Sequence, residues 1–255
     1  MIKSLILLAI TGVSLILIFW IPPVRQDLAF HNFADARSLI GIPNAGNILS
    51  NIPFLVIGVY GIVVVLGSSQ PFSIRVIYTM LFIGVILTGF GSAYYHWHPD
   101  NDRLVCDRMP MTIVFMSFLS AIIAEVVSRP VGVRLLLPLV ALGIASVLWW
   151  RYTEATGKGD LRLYFWVQFY PMFAIPMLLL LYYTPIIKRI IPSLVWIVAW
   201  YAAAKVLEQL DYQIFHVVLV SGHTLKHLAA AASTGYFVHL YRVKYLTPAA
   251  SVVGV

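Results

Sequence analysis

The sequence predicts an all-α membrane protein, a polytopic bundle of transmembrane helices. Of its 255 residues, 61% are hydrophobic and only 11% are charged, and the mean hydropathy is +0.90. Soluble domains carry roughly 25% charged residues, so this chain lacks the charge needed to cover a water-facing surface. The composition therefore excludes a soluble enzyme and a disordered protein. The single cysteine, Cys106, also excludes a disulfide-rich secreted scaffold.

Eight apolar segments approach or reach the length that a helix needs to cross a bilayer. They lie at residues 4–20, 47–67, 74–95, 109–127, 132–150, 162–183, 190–205 and 223–241. The first segment is either an uncleaved span or a signal peptide; we prefer the span, because Pro22 and Pro23 follow it and no small-residue cleavage site does. The predicted organisation is an N-terminal span at residues 1–21 followed by a seven-span domain at residues 22–255.

The loops give a preferred orientation. Basic residues are equally frequent on the two sides of the predicted bundle, but the side that holds both termini has the shorter loops and almost no acids. This asymmetry favours termini inside and acidic loops outside. The net charge of +7 comes from basic residues near span ends, which are expected to contact lipid headgroups. Nucleic acid is not expected as a partner, and no obligate protein partner is inferred.

Three spans carry ionisable residues at the same membrane face, where such residues are costly and therefore candidates for function. Ser92 and His96 end the third span four residues apart, so they share one helix face. Asp107 lies at that face, at the start of the fourth span. The alternative to a functional role for Asp107 is that it caps this helix. His223 and His227 begin the eighth span at the i, i+4 spacing that lets two imidazoles bind one metal ion. Together these residues predict a metal site.

Further polar residues lie near this face. Asn44, Asn47 and Asn51 form a stripe at the start of the second span, which either bonds across helices or lines a polar pocket. Asn51, Glu208 and Asp211 are candidates for contacts with the metal ligands or with a substrate headgroup. Lys226 is expected to reach a lipid headgroup.

These motifs resemble the alkaline ceramidase family of seven-transmembrane zinc amidohydrolases, within the superfamily that includes adiponectin/progestin-type receptors. The resemblance covers about 185 residues and rests on Asn47-Ile-Leu-Ser50-Asn51, Gly91-Ser92-x-x-x-His96, Asp107-x-x-Pro110-Met111 and His223-x-x-x-His227. It implies that three histidines bind Zn²⁺, namely His96, His223 and His227. It also implies that Ser92 and Asp107 are the catalytic residues.

One stretch departs from the family pattern. Eukaryotic ceramidases carry a calcium motif with acidic and Asn ligands ahead of the first core helix. The matching stretch here retains Asp35, and Asn44 stands where an acidic ligand is expected, so a complete Ca²⁺ site is doubtful. The chain is similar to the bacterial branch of the family. That similarity implies a bacterial inner (plasma) membrane location, and the loop asymmetry described above favours a zinc site toward the outer side.

The resemblance implies a hydrolase of sphingolipid metabolism that cleaves the amide bond of a ceramide-like membrane lipid to a fatty acid and a sphingoid-type amine. Zinc held by three imidazoles keeps a fourth position open, which is typical of catalytic sites. Asp107 would transfer a proton and Ser92 would donate a hydrogen bond to the oxyanion. The alternatives are a receptor-like seven-helix zinc protein that binds lipid without turnover, and a hydrolase of a different lipid amide or ester. A transporter is least favoured, because its ionisable residues would spread through the membrane depth.

Overall fold

A computed structural model describes residues 2–247 of the chain. Within that range the chain forms α-helices, one 3₁₀ turn (Leu28–His31) and loops, with no β-strand. The loops are short except for the N-terminal segment, residues 19–44, which joins the first two helices and contains the 3₁₀ turn. The helices are α1 (Ile2–Ile18), α2 (Ala45–Leu49), α3 (Ile52–Leu66), α4 (Phe72–Trp97), α5 (Asn101–Val126), α6 (Arg129–Ala155), α7 (Arg162–Leu181), α8 (Pro185–Gln209), α9 (Asp211–Val218) and α10 (Gly222–Tyr245). The predicted all-α helical bundle is confirmed.

Six helical stretches among the described residues are long and apolar enough to cross a membrane. They are α2 with α3, α4, α5, α6, α7 and most of α8, so the chain is an integral, multi-pass membrane protein. The other two predicted spans differ from these six. Helix α1 has 17 residues and is therefore short, and α10 is long enough but carries more polar and charged side chains.

The packing order leaves the bundle open on one side. Helix α4 packs between α3 and α5, α5 packs against α6 and α7, and α10 packs against both α8 and α3. Helices α7 and α8 follow each other along the chain but hardly touch in the described structure. They form the two walls of a cleft that leads to an internal cavity.

Helix α1 is attached to the outside of this bundle. None of its residues is buried, and it packs on α7. The Trp166 indole donates a hydrogen bond to the Ser14 hydroxyl at 3.1 Å, and Tyr170 bonds to Thr11. The cavity and the histidines are therefore formed by the helices that follow α1.

Helix α5 begins earlier than the sequence pattern predicts. Its N-cap is Asp100, whose carboxylate accepts the Arg103 backbone N–H at 2.7 Å. Asp107 consequently lies in the second turn of the helix and is buried. The alternative in which Asp107 caps the helix is wrong, because Asp100 already fills that role two turns away.

Candidate metal centre

Three buried histidines meet at one end of the bundle. His96 lies at the end of α4, and His223 and His227 lie in the first two turns of α10. One ring nitrogen from each lies within 4.8 Å of the others, and the Nε2 atoms of His96 and His223 are 3.2 Å apart. Two nitrogens of a tetrahedral zinc site, at about 2.0–2.1 Å from the metal, are about 3.3 Å apart. The spacing of this pair therefore fits two ligands of one ion.

Ser50 contacts the ring nitrogen of His227 that faces away from the cluster. Its hydroxyl lies 3.1 Å from the Asn47 carbonyl oxygen and 2.8 Å from Nδ1 of His227. When the hydroxyl donates to the carbonyl, its oxygen accepts the Nδ1–H of His227. This leaves Nε2 of His227 with a lone pair that faces the other histidines, 3.5 Å from the Ser92 hydroxyl. A histidine that binds a metal ion through one ring nitrogen usually makes a hydrogen bond through the other ring nitrogen.

His96 is held through its backbone. The Asn44 side-chain amide donates to the His96 carbonyl oxygen at 2.8 Å. The Nδ1 atom of His96 is buried and has no hydrogen-bond partner among the described residues. It is the ring nitrogen other than the one that faces His223, so it is not the ligand atom of the pair described above.

Asp211 fixes the start of α10. Its carboxylate accepts the backbone N–H of His223 at 2.8 Å through one oxygen and that of Ala34 at 2.9 Å through the other. Gly222 lies against the Leu207 carbonyl oxygen and the Asp211 backbone, where a Cβ atom would overlap both. Asp211 therefore positions the His223 backbone and ties the N-terminal segment to it.

Phe33 covers the histidines, and the sequence analysis did not identify it. Its ring centroid lies 4.6 Å from that of His96 and 4.5 Å from that of His223. The segment is held nearby by His31, whose Nδ1 lies 2.8 Å from the Tyr95 hydroxyl. One phenylalanine among 14 gives no signal in the sequence, because only the path of the N-terminal segment brings it here.

The two calcium candidates make other contacts. Asp35 is buried, and each of its carboxylate oxygens accepts a hydrogen bond from Arg37 at 2.7 Å. This hydrogen-bonded guanidinium holds the pKa of Asp35 below its ordinary value. Arg37 also donates to the Leu219 carbonyl oxygen at 2.7 Å, which joins the N-terminal segment to the loop before α10. The side-chain amide of Asn44 donates to the His96 carbonyl oxygen, as described above.

Ser92 and Asp107 are brought together by a close helix contact. Gly91 of α4 lies directly against the backbone carbonyl of Cys106 on α5, so that a Cβ atom at Gly91 would overlap it. Ser92 and Asp107 are the next residues on the two helices. Both are buried and both line the same cavity as His227.

This cavity has a volume of about 580 Å³ and runs along the bundle from His227, the one histidine of the cluster that lines it. Its polar end is lined by Asn51, Ser92, Asp107, Lys226 and His227. From Lys226 to Phe237 it follows α10 for eleven residues, or about 16 Å at 1.5 Å per residue. Beyond the polar end its walls are mainly apolar side chains of α5, α7, α8 and α10.

The asparagines at the start of the second predicted span were expected either to bond across helices or to line a polar pocket, and the structure shows one residue in each role. Asn47 bonds across helices, because its side-chain oxygen accepts from the Thr224 hydroxyl at 2.8 Å. Asn51 lines the cavity, donates to the Asn47 carbonyl oxygen at 2.7 Å, and leaves its own side-chain oxygen without a partner among the described residues.

Glu208 does not contact the histidines directly. One carboxylate oxygen lies 2.6 Å from the Lys226 ammonium and the other 2.8 Å from that of Lys205. The expectation that Lys226 reaches a lipid headgroup is wrong, because this ion pair holds it at the cavity wall. Glu208 thereby compensates a cation at the polar end of the cavity.

A scan against protein-family models and a search of curated proteins each find no match to this chain. The histidine cluster is therefore interpreted from its own geometry, which fits a metal ion. Imidazole ligands suit zinc, copper, iron and nickel alike, so the donor set leaves the choice of metal open.

Proposed function

We propose that the protein is a zinc-dependent intramembrane hydrolase that cleaves the amide bond of a ceramide-like lipid to a fatty acid and a sphingoid-type amine. The observation that carries this proposal is the position of Ser92 and Asp107 beside a buried three-histidine cluster, at the polar end of a long apolar cavity. Metal binding alone requires neither a hydroxyl nor a carboxylate at this point, whereas hydrolysis uses both.

The shape of the cavity supports a substrate with a long hydrocarbon chain. An acyl chain would lie along the apolar walls with its carbonyl group at the polar end. The weak contact between α7 and α8 provides a lateral route from the membrane. One hydrogen bond crosses this cleft, from the Gln168 side-chain amide to the Tyr201 hydroxyl at 2.7 Å. Both of these residues line the cavity.

The catalytic roles follow from the groups at the polar end. When bound, a zinc ion would supply Lewis-acid chemistry, polarising a carbonyl and favouring ionisation of a water molecule. Asp107 receives a proton from the water whose oxygen adds to the carbonyl carbon, and delivers it to the nitrogen as the C–N bond breaks. Ser92 donates a hydrogen bond to the carbonyl oxygen as negative charge develops on it.

The protein surroundings prepare the site for this chemistry. Ser50 keeps Nε2 of His227 directed at the cluster, Asp211 and Asn44 hold the backbones of His223 and His96, and Phe33 covers their rings. We place this end of the bundle at the outer side of the membrane, because the acidic loops lie there and the opposite side has short loops with almost no acids. The resemblance to the bacterial branch of the ceramidase family makes this a bacterial inner membrane.

The test is release of long-chain amine from a ceramide panel by the purified protein in detergent, with and without a zinc chelator. Chelator-sensitive release that zinc restores is the expected result. A zinc-loaded protein that binds ceramide without releasing amine would overturn the hydrolase and support a receptor-like protein. Release only from ester lipids or other lipid amides would replace the substrate while keeping the reaction class.

A further inference from the structure

A second groove lies on the outside of the bundle, between α3 and α10, and the proposed hydrolysis does not use it. Its volume is about 460 Å³. On α3 it is lined by Ile57 and Tyr60, on α10 by Gly235, Val238, His239, Arg242 and Val243, and beyond α10 by Thr247. Gly235, His239 and Arg242 are four and three positions apart, so they lie along one face of the helix.

The groove changes from apolar to cationic along its length. Gly235 lies near the middle of α10, and Arg242 lies one turn from the end opposite the metal centre. The two are seven residues apart, or about 10 Å along the helix. Because α10 packs along α3 and α8, which are long and apolar enough to cross a membrane, we expect the apolar end of the groove near mid-membrane and the cationic end at the membrane surface. A lipid in the membrane leaflet at this end of the bundle is arranged in the same way, with apolar chains near mid-membrane and a polar headgroup at the surface.

The membrane face at the cationic end is strongly basic. The helix ends there carry eight basic residues in the described structure, namely Lys3, Arg75, Arg129, Arg134, Lys188, Arg189, Arg242 and Lys244. The one acid among these described helix ends is Glu125, which is bound by Lys244 and Tyr245. None of the described groove residues is acidic. The charge of this face is complementary to an anionic headgroup.

The polar atoms of the groove are arranged to bind an anion. Arg242 is exposed and donates one hydrogen bond, to the Tyr60 hydroxyl at 3.0 Å. That contact uses the Tyr60 oxygen as an acceptor and leaves its proton free to be donated. His239 has Nδ1 2.9 Å from the Ser193 hydroxyl. When that hydroxyl donates to Nδ1, Nε2 carries a proton that an anion can accept. A guanidinium, a hydroxyl and an imidazole nitrogen therefore line the surface end of one groove.

We propose that this groove binds an anionic phospholipid of the leaflet opposite the metal centre. The phosphate lies against Arg242, Tyr60 and His239. One acyl chain lies along Ile57, Gly235 and Val238. The site is independent of the metal centre and of the reaction assigned to it.

The experiment is a titration of the full-length protein in detergent with phosphatidylglycerol or phosphatidylcholine of the same acyl chains, read by native mass spectrometry. We expect one tightly held phosphatidylglycerol. Arg242→Gln should weaken it roughly five- to tenfold, since a basic residue contributes about 1 kcal/mol to binding anionic lipid and the lost hydrogen bonds add to this. Tyr60→Phe should weaken it by a smaller factor.

Arg134→Gln is the matched control, because Arg134 is an exposed basic residue of the same face outside the groove. It should leave the tightly held lipid in place. Equal loss in Arg134→Gln and Arg242→Gln would overturn the site in favour of general surface charge. Equal retention of phosphatidylcholine would remove the requirement for an anionic headgroup. Displacement of the lipid by millimolar inorganic phosphate would show a site for a free anion instead.

Discussion

The hydroxyl oxygen of Ser50 lies 2.8 Å from Nδ1 of His227, on the side of the ring away from the histidine cluster. Ser50 lies between α2 and α3, and His227 lies 177 residues later in α10. When the Ser50 hydroxyl donates to the Asn47 carbonyl oxygen, it accepts Nδ1–H and so stabilises the tautomer in which Nε2 carries the lone pair. A serine at a helix break thus prepares a candidate metal ligand on a different helix.

Ser50→Ala should weaken zinc binding by about 10- to 100-fold, the usual effect of removing a hydrogen-bond partner of a ligand histidine. The measurement is zinc retention against a graded chelator series. Ser233→Ala is the control, because Ser233 is also buried on the bundle interior but donates to the Ile197 carbonyl oxygen. Unchanged zinc affinity in Ser50→Ala would contradict the role of this bond.

His223→Ala should lose both zinc and hydrolysis, because two remaining imidazoles hold the ion far more weakly than three. Zinc content per chain after dialysis measures the first effect, and amine release measures the second. His98→Ala should retain both, since His98 is exposed and its Nδ1 contacts Arg103. Full zinc occupancy in His223→Ala would refute the three-histidine site.

Asp107→Asn separates binding from chemistry. The amide keeps the size of the side chain but does not accept and return a proton, so turnover should fall by about 10²–10⁴-fold while zinc content stays the same. Parallel assays of zinc content and amine release on one preparation test this. Turnover equal to that of the unmodified protein would remove Asp107 from the mechanism.

Gly91→Ala should destabilise the fold, because its Cβ atom would overlap the Cys106 carbonyl oxygen where α4 and α5 touch. Overpacking of this kind costs about 1–3 kcal/mol. Thermal unfolding in detergent measures the loss. Gly12→Ala is the matched control, since nothing lies within 4 Å of a Cβ atom there and alanine is favoured over glycine in helices. Equal melting temperatures of Gly91→Ala and the unmodified protein would contradict the close contact.

The Asp35–Arg37 pair predicts an acid-sensitive component of stability. Arg37 lowers the pKa of Asp35 below its ordinary value in the folded protein. The pair therefore stabilises the fold fully above that value, and this contribution is lost as the pH falls through the folded pKa. The melting temperature of the unmodified protein should drop on acidification below about pH 4, and that of Arg37→Gln should start lower and drop less. Parallel curves for the two proteins would show that the pair adds nothing to stability.

Much of the architecture follows from the sequence, because transfer of apolar side chains into lipid is a property of each segment by itself. The composition predicts the all-α bundle, and six of the eight predicted spans coincide with helices of the required length and apolarity. The i, i+4 spacing likewise predicts that His223 and His227 share a helix face. Helix ends were less predictable: the polar first turns of α5 lie beyond its apolar stretch, so hydropathy placed its start too late.

Only the tertiary structure decided which segments meet. His96 and His223 are 127 residues apart in the chain yet have their Nε2 atoms 3.2 Å apart. Phe33 reaches them through the path of a loop, and Lys226 turns to Glu208 instead of the membrane surface. The long apolar cavity exists because α7 and α8 separate while α8 and α10 pack closely. Hydropathy and helical periodicity are local properties, whereas these neighbours depend on how side chains of distant helices pack together, and no single segment carries that information.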